Sequence, residues 1–412
     1  MSKVKLSEIG TFKNGLNFSA ERVLSGCKMI GVPDFGDNYL AKLDGLKEVD
    51  EDIVSTDYLL QDNDILFVRS NGNKNLVGRA MLIEKIKGKV TFSGFCIRFR
   101  ITNNNVNPLY MLYLFKSPLF RKLFSNTQQT SISNLNQEIL GNIEVELPTI
   151  GQQNRIVKVI HGITRKIENN KRINDNLQQQ AILLYDYWFT QFDFPDANGK
   201  PYYSSGNKMT WNNQLKKNIP LSWKVKPLKA ICEICLGGTP STTVSKYWNG
   251  SISWLNSGEI AQFPVVSSEK KITQLGLENS PTKLMSKNTT VISITGNIRA
   301  SILALDACAN QSVVGILENE IFKSPFIYQN MLRLLNHYTS ISTGNCQKHI
   351  SKGAIEESLV CIPDSIVLKQ YYSLSEPIYK QMHEIALENQ HLTELRDWLL
   401  PMLMNGQVTI KD

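Results

Sequence analysis

The stretch CLGGTPSTTVSKYWNGSISWLNSGEI, Cys235 to Ile260, concentrates the small and hydroxylated residues from which anion sites are built. Its backbone N–H groups and hydroxyls could cradle a phosphate. A nucleotide phosphate loop, however, ends in Gly-Lys-Ser/Thr, with lysine on the phosphates and the hydroxyl on magnesium. The next lysine here is Lys246, too far from Gly237 and Gly238 for that geometry. No Gly-x-Gly-x-x-Gly occurs in the chain, so a dinucleotide or S-adenosylmethionine loop has no support. The tetrapeptides Asp-Pro-Pro-Tyr and Asn-Pro-Pro-Phe, which DNA amino-methyltransferases use, are missing too. Glu269-x-Lys271 echoes a nuclease site but lacks the upstream Pro-Asp.

Cys232-x-x-Cys235 and Cys346-x-x-His349 offer four donors of the kind that hold tetrahedral zinc. The first half of the chain has Gly10 and Lys13 at matching places, so the metal reading finds no echo there. The five histidines (His161, His337, His349, His383 and His391) do not cluster in sequence, and the carboxylates of residues 44–64 read as a solvated loop. No catalytic or metal site is therefore expected, and the polar residues are left to binding. An enzyme with unrecognised methyltransferase or nuclease motifs, and a coiled-coil interaction scaffold, stay open as alternatives.

Charge gives the binding reading a direction. Net charge is +8 over 412 residues, and residues 200–362 alone carry 17 Lys/Arg against 9 Asp/Glu. A basic segment favours a polyanionic partner. The seven cysteines are odd in number and scattered, which suits reduced thiols in a cytoplasm. The N-terminal MSKVKLSEIGTF lacks the apolar core of a signal peptide, and no apolar run is long enough to span a membrane. A cytoplasmic protein without membrane attachment is expected.

The elements that must position such residues occur twice. SNLNQEILGNIEVELPTIGQQNRIVKVI around Pro148 aligns with KHISKGAIEESLVCIPDSIVLKQYYSLS around Pro363. KLSEIGTFKNG (Lys5–Gly15) resembles PLKAICEICLGG (Pro227–Gly238), YLLQDNDILFVRSNG resembles TKLMSKNTTVISITGN, and NPLYMLYLFKSPLF resembles KSPFIYQNMLRLLN. Order is preserved, so one module is duplicated. The spacing predicts a globular domain over 1–147, a helix over 148–192, a linker over 193–222 rich in Gly, Pro, Ser, Asn and Lys, a second domain over 223–362 and a second helix over 363–412.

Both helices carry a coiled-coil seam. In the first it is Ile160, Ile163, Ile167, Asn170, Asn174, Leu177 and Leu184, at alternate steps of four and three. In the second it is Ile378, Met382, Ile385, Asn389, Leu392 and Leu399, with Arg396 intruding. A helix over Gln152–Phe189 would run ~57 Å. Pro377 is expected in the first turn of the second helix, and Pro401 with Gly406 at its end. Neither seam can be buried alone, so the two helices are expected to pair. The fold class is α+β: two similar α/β domains joined by an antiparallel coiled coil, with internal pseudo-two-fold symmetry.

The residues quoted carry a resemblance. IPLSWKVKPLKAICEICLGGTPST, KYWNGSISWLNSGEI, ELPTIGQQNRIV, LYDYWFTQFDF and LRDWLLPMLMNGQV are similar to segments of type I restriction-modification specificity subunits, and the likeness spans essentially the whole chain. It implies a non-catalytic subunit that reads a bipartite double-stranded DNA target, each domain taking one half. It implies two modification (methyltransferase) subunits and restriction (translocase/endonuclease) subunits as partners. The chain itself would need no cofactor; S-adenosylmethionine, ATP and magnesium would sit on those partners. The first domain departs from the pattern, with Lys13-Asn14-Gly15 in place of Gly-Gly-Thr-Pro-Ser.

On that reading, Gly237 and Gly238 allow close backbone approach to DNA, and Thr239, Ser241 and Lys246 contact phosphates. Asn, Gln and Arg can pair with major-groove base edges. The candidates in the first domain are Lys13, Asn14, Arg69, Asn71, Asn73, Lys74 and Arg79. In the second they are Asn249, Ser257, Asn297, Arg299, Gln347 and Lys348. Trp248 and Trp254 are expected to anchor the loop in the core.

Overall fold

The computed structural model describes residues 2–17, 26–36, 39–73, 76–118, 120, 135–344 and 348–410. It divides into two compact units, one of Met1–Lys166 with Leu392–Asp412 and one of Ile167–His391. The division runs through both long helices rather than at the expected boundaries near 147 and 363.

The first unit contains β1 (Ser2–Lys5), β2 (Gly10–Asn14), β3 (Gly26–Ile30), β4 (Lys47–Asp50), β5 (Ile65–Val68), β6 (Ala80–Leu82), β7 (Lys89–Phe92), β8 (Cys96–Ile101) and β9 (Glu144–Leu147). They form three sheets ordered β1-β9, β2-β8-β5-β6 and β4-β3-β7. β5 reads Ile-Leu-Phe-Val and is buried on both faces. Its alternation sorts two cores: Ile65 and Phe67 join the cluster under Tyr110, Tyr113 and Phe99, while Leu66 and Val68 join Ile30, Met81 and Phe92.

The second unit contains β10 (Met209–Asn212), β11 (Lys217–Pro220), β12 (Lys224–Pro227), β13 (Ile234–Leu236), β14 (Trp248–Leu255), β15 (Lys270–Ile272), β16 (Thr290–Ser293), β17 (Ala300–Ile302), β18 (Ala307–Ala309), β19 (Val313–Ile316) and β20 (Leu359–Ile362). Its sheets are β12-β20, β13-β19-β16-β17, β15-β14-β18 and the hairpin β10-β11. The first three repeat those of the first unit strand for strand. In each three-stranded sheet the central strand runs antiparallel to one neighbour and parallel to the other: β3 with β4 and β7, β14 with β15 and β18.

Residues 193–222 are not a loose linker. They fold onto the second unit, where Phe194 stacks on Trp223 at 5.0 Å and on Tyr202 at 4.7 Å. Asp193 is buried and accepts from the backbone N–H and hydroxyl of Ser204 at 2.8 and 2.7 Å. Gly199 and Gly206 take φ of +75° and +79°. The glycines therefore serve tight turns, and the aromatic residues outweigh the polar composition.

The long helices span Ile150–Tyr185, continued by a π-turn over Asp186–Thr190, and Ser365–Met404. Pro377 lies inside the second helix, not in its first turn, and Pro401 lies within its last turn, with Gly406 just beyond at φ +73°. The turns ahead of Pro377 are held by Val367, Leu368, Tyr371 and Tyr372, all in the aromatic core of the second unit. That packing outweighs the lost backbone bond.

Within the second unit Leu177 and Ala181 of one helix share a core with Tyr379, Met382 and Ile385 of the other, and Asn170 and Asn174 are buried. The Asn170 amide donates to Glu388 at 2.6 Å, and the Asn389 amide to the Ile167 carbonyl at 3.4 Å. Within the first unit Ile160 packs with Leu399, Leu400 and Leu403, while Arg396 lies over the Tyr39 ring at 5.3 Å. Residue numbers fall on one helix as they rise on the other, so the pair is antiparallel. The seam drifts from the expected one. Thr164, Tyr185 and Tyr379 are buried, whereas their neighbours Ile163, Leu184 and Ile378, and also Leu392, are half-buried. A 3.6-residue helix turns ~20° per heptad away from a strict seven-residue repeat, which moves the contact line by one residue.

His383 lies buried on the second helix with Nε2 unpartnered. Burial, aided by Lys287, pushes its pKa from 6.5 down to about 4. A lowered folded-state value means that only the unfolded chain gains the proton between those limits. Stability is therefore unaffected above pH ~6.5 and lost as pH falls, by about 2 kcal/mol at pH 5. Thermal unfolding from pH 7.5 to 5 is expected to show this slope, and His383→Gln to flatten it.

Candidate nucleic-acid interface

The two units hold the same hydrogen-bonded frame at one edge. In the first, the Gly15 N–H donates to Cys96 O at 3.1 Å; in the second, the Gly237 N–H donates to Val313 O at 2.9 Å. A Cβ at Gly15 would collide with the carbonyls of Ser93 and Phe92, and one at Gly237 with those of Asn310 and Ala309. Gly15 is thus the counterpart of Gly237, one residue off the expected pairing with Gly238. Gly238 is hemmed in by Pro281 and Thr282, and its carbonyl accepts from Trp254 Nε1 at 3.0 Å. Both glycines of the loop are demanded by the protein's own packing, a reason that stands apart from any approach to DNA. Trp254 is buried and anchors the loop, as its size suggests.

From this frame the edge can be traced by contacts. Thr239 Oγ1 donates to Gln311 at 2.6 Å. The Ile294 N–H donates to Ser312 O at 2.8 Å, the Ile350 N–H to Ile294 O at 3.0 Å, and the Gly296 N–H to Lys348 O at 2.8 Å. The turn Gln311–Ser312, the β16–β17 hairpin and residues 348–350 are therefore gathered beside Thr239. Asn297, Arg299 and Lys348 are exposed there. His349 belongs to the same group, with Nδ1 3.2 Å from Thr295 Oγ1. Ser241 and Lys246 are exposed on the loop that follows, where Ser241 meets Thr243 at 2.8 Å and its carbonyl accepts from Trp248 Nε1 at 3.1 Å. Asn249 sits in the bulge of β14 at φ +62°, a conformation that asparagine tolerates, and Ser257 is half-buried after β14.

The first unit builds its edge with the same bonds. The Arg69 N–H donates to Phe95 O at 2.7 Å, and the Leu135 N–H to Arg69 O at 2.8 Å. Val68 N–H reaches Arg79 O at 2.9 Å, as Ser293 N–H reaches Arg299 O at 2.8 Å, so Arg79 and Arg299 occupy equivalent places. Between them the connecting segments differ in length: residues 69–78 in the first unit, 294–298 in the second. Asn71 Oδ1 accepts from the Asn73 N–H at 2.7 Å and shapes the longer loop. Lys13 is engaged elsewhere, 3.2 Å from Asp57 and 4.2 Å from the Tyr58 ring, and Asn14 lies within β2 opposite Ile97. Lys74 and Gln347 lie outside the described residues.

The sequence reading missed Gln311, Ser312 and His349 as members of this edge. The signal was the shared position of Gly15 and Gly237, visible only once the strands that crowd them are known. The cysteine pairs make no metal site that can be described. Cys232 is in the core, its thiol pushed up to about 12 by burial, and no group of three or more His, Cys, Asp or Glu side chains that could hold a metal occurs among the described residues. Nor does any helix among them have the length and apolarity to cross a membrane.

Known proteins resemble this chain in sequence and fold. A family model described as the type I restriction modification DNA specificity domain matches residues 1–179 and 220–385. The chain is 24% identical over 320 residues to the type I restriction enzyme MjaIX specificity subunit of Methanocaldococcus jannaschii, covering 76% of this chain and 72% of that one. It is 18% identical over 369 residues to the HindI specificity subunit of Haemophilus influenzae, covering 76% and 80%. The crystal structure of a type I restriction-modification system S subunit from M. genitalium superposes with a TM-score of 0.59 at 14% identity, over 98% of this chain and 96% of that one, a likeness of fold.

Proposed function

The chain belongs to the type I restriction modification DNA specificity family, and from that premise we propose that each of its units reads one half of a bipartite DNA sequence. It is a specificity subunit, a part of the restriction-modification system that recognises DNA and does no chemistry of its own. One observation carries the division into half-sites: the same hydrogen-bonded frame bears connecting segments of different length and sequence, residues 69–78 and 294–298. A conserved frame fixes the register on the duplex, and unlike loops read unlike bases. Arg299 is exposed at the end of its segment and offers paired donors to guanine, and Arg79 holds the equivalent place in the first unit. Lys246, Lys348, Thr239 and Ser241 supply contacts to phosphates. The paired helices set the spacing between the half-sites. Methyl transfer would be done by two modification subunits with S-adenosylmethionine, and cleavage by ATP- and magnesium-dependent restriction subunits, in the cytoplasm.

The test is modified-base mapping of DNA from cells with and without this chain and its partners, which gives the target. Arg299→Ala is then expected to cost about 1–3 kcal/mol and to relax one base position in one half-site. Arg79→Ala should do the same in the other. An equal loss on all sequences, or a change in the same half-site for both, would count against the proposal.

A further inference from the structure

We infer that Phe95 reads a thymine methyl group in the half-site addressed by the first unit; the inference rests on the specificity reading above. Phe95 is 59% exposed, the only phenylalanine among the described residues to be so, and it belongs to none of the hydrophobic cores. It stands on the turn between β7 and β8. That turn is fixed on every side: the Phe95 N–H donates to Ser93 Oγ at 3.3 Å, the Gly94 N–H to Leu16 O at 2.6 Å, and the Cys96 N–H to Ser93 O at 2.8 Å. The Phe95 carbonyl accepts from Arg69 at 2.7 Å, and the Arg69 guanidinium reaches Gly94 O at 3.5 Å. The ring is therefore presented from a rigid turn beside the arginine and asparagine hairpin.

The fold does not ask for an aromatic residue here. The second unit builds the same turn, with the Ser312 N–H on Asn310 Oδ1 at 3.0 Å and the Ser312 carbonyl accepting from Ile294 at 2.8 Å. Ser312 is thus the counterpart of Phe95. An exposed ring that packing does not explain, among polar groups suited to the major groove, matches the one apolar feature that groove displays, the C5-methyl of thymine. The pairing also separates the two units: a methyl reader in one, a hydroxyl in the other.

The experiment uses the full chain assembled with its modification subunits and duplexes carrying the mapped target. Each thymine of the first unit's half-site is replaced in turn by uracil, which removes only the methyl group. One such replacement is expected to weaken binding about fourfold, the effect of one buried methyl. Phe95→Ser, which installs the second unit's residue on the surface, should weaken binding to the thymine duplex by a similar factor and abolish the difference between thymine and uracil. A half-site without thymine, or insensitivity to uracil at every position, overturns the inference while leaving specific binding intact. Equal weakening of target and random duplexes by Phe95→Ser also overturns it, in favour of a ring inserted between base pairs. Absence of any preference for the mapped target overturns the specificity reading itself.

Discussion

A chain whose first unit is replaced by that of another family member is expected to recognise one new half-site and keep the other. Affinity for the original target should fall toward the non-specific level, roughly 10³-fold or more. Modified bases from the assembled complex should map to a hybrid sequence. The expectation follows from the folding of each unit around its own cores. Where the exchange is cut decides how well the hybrid folds. The first unit's core includes Ile156, Val157 and Ile160 from one long helix and Leu400, Leu403 and Met404 from the other. Gln153 is buried there, accepting from the Asn107 N–H at 2.8 Å and donating to Pro148 O at 2.9 Å. Cutting at 147 leaves those side chains against a foreign surface. Exchanging 1–166 together with 392–412 carries the core whole, and should give the same specificity with a higher melting temperature. A change in both half-sites would sink the separable reading.

The duplication was legible because it rests on apolar pattern and prolines, which survive divergence. Even backbone detail repeats: Asn63 and Asn288 hold equivalent turns at φ +75° and +71°, each donating to the carbonyl of the residue that follows an equivalent strand, Ile83 after β6 or Leu303 after β17. What sequence reasoning misjudged has a common cause, local composition read without its tertiary surroundings. Residues 193–222 looked like a linker because turn residues outnumber the few aromatics that bind them to a core. Pro377 looked like a helix start because the packing of Tyr371 and Tyr372 is not visible in a local pattern. The packing need for glycine at Gly237 and Gly238 was hidden because the segments that crowd them are distant in sequence. Phe95 and Ser312 escaped notice because they become equivalent only through shared hydrogen bonds.

Replacing Asp64 by alanine is expected to destabilise the first unit by about 3–5 kcal/mol, a large part of the roughly 5–15 kcal/mol that holds a domain folded. The Asp64 carboxylate is 1% exposed and takes Arg100 in a two-pronged pair, Nε to Oδ1 and Nη2 to Oδ2, both at 2.7 Å. It also accepts from the Gln61 N–H at 2.7 Å, and Arg100 Nη2 donates to Leu59 O at 3.1 Å. The pair fastens the loop before β5 to the end of strand β8. Losing the carboxylate leaves Arg100 without its anion, although its 25% exposure places the cost toward the lower end of the range. The second unit shows that the charges are not required by the fold. Leu303 N–H donates to Thr289 O at 3.0 Å as Ile83 N–H donates to Asp64 O at 2.8 Å, and Leu317 stands where Arg100 does. The same frame therefore closes with Thr289 and Leu317. The double variant Asp64→Thr with Arg100→Leu is accordingly expected to regain most of what Asp64→Ala loses, because the Arg100 guanidinium is no longer left without its anion. Thermal unfolding, with amide exchange read on β5 and β8, decides it: a double variant as unstable as the single one would mean that the first unit has come to depend on the ion pair itself.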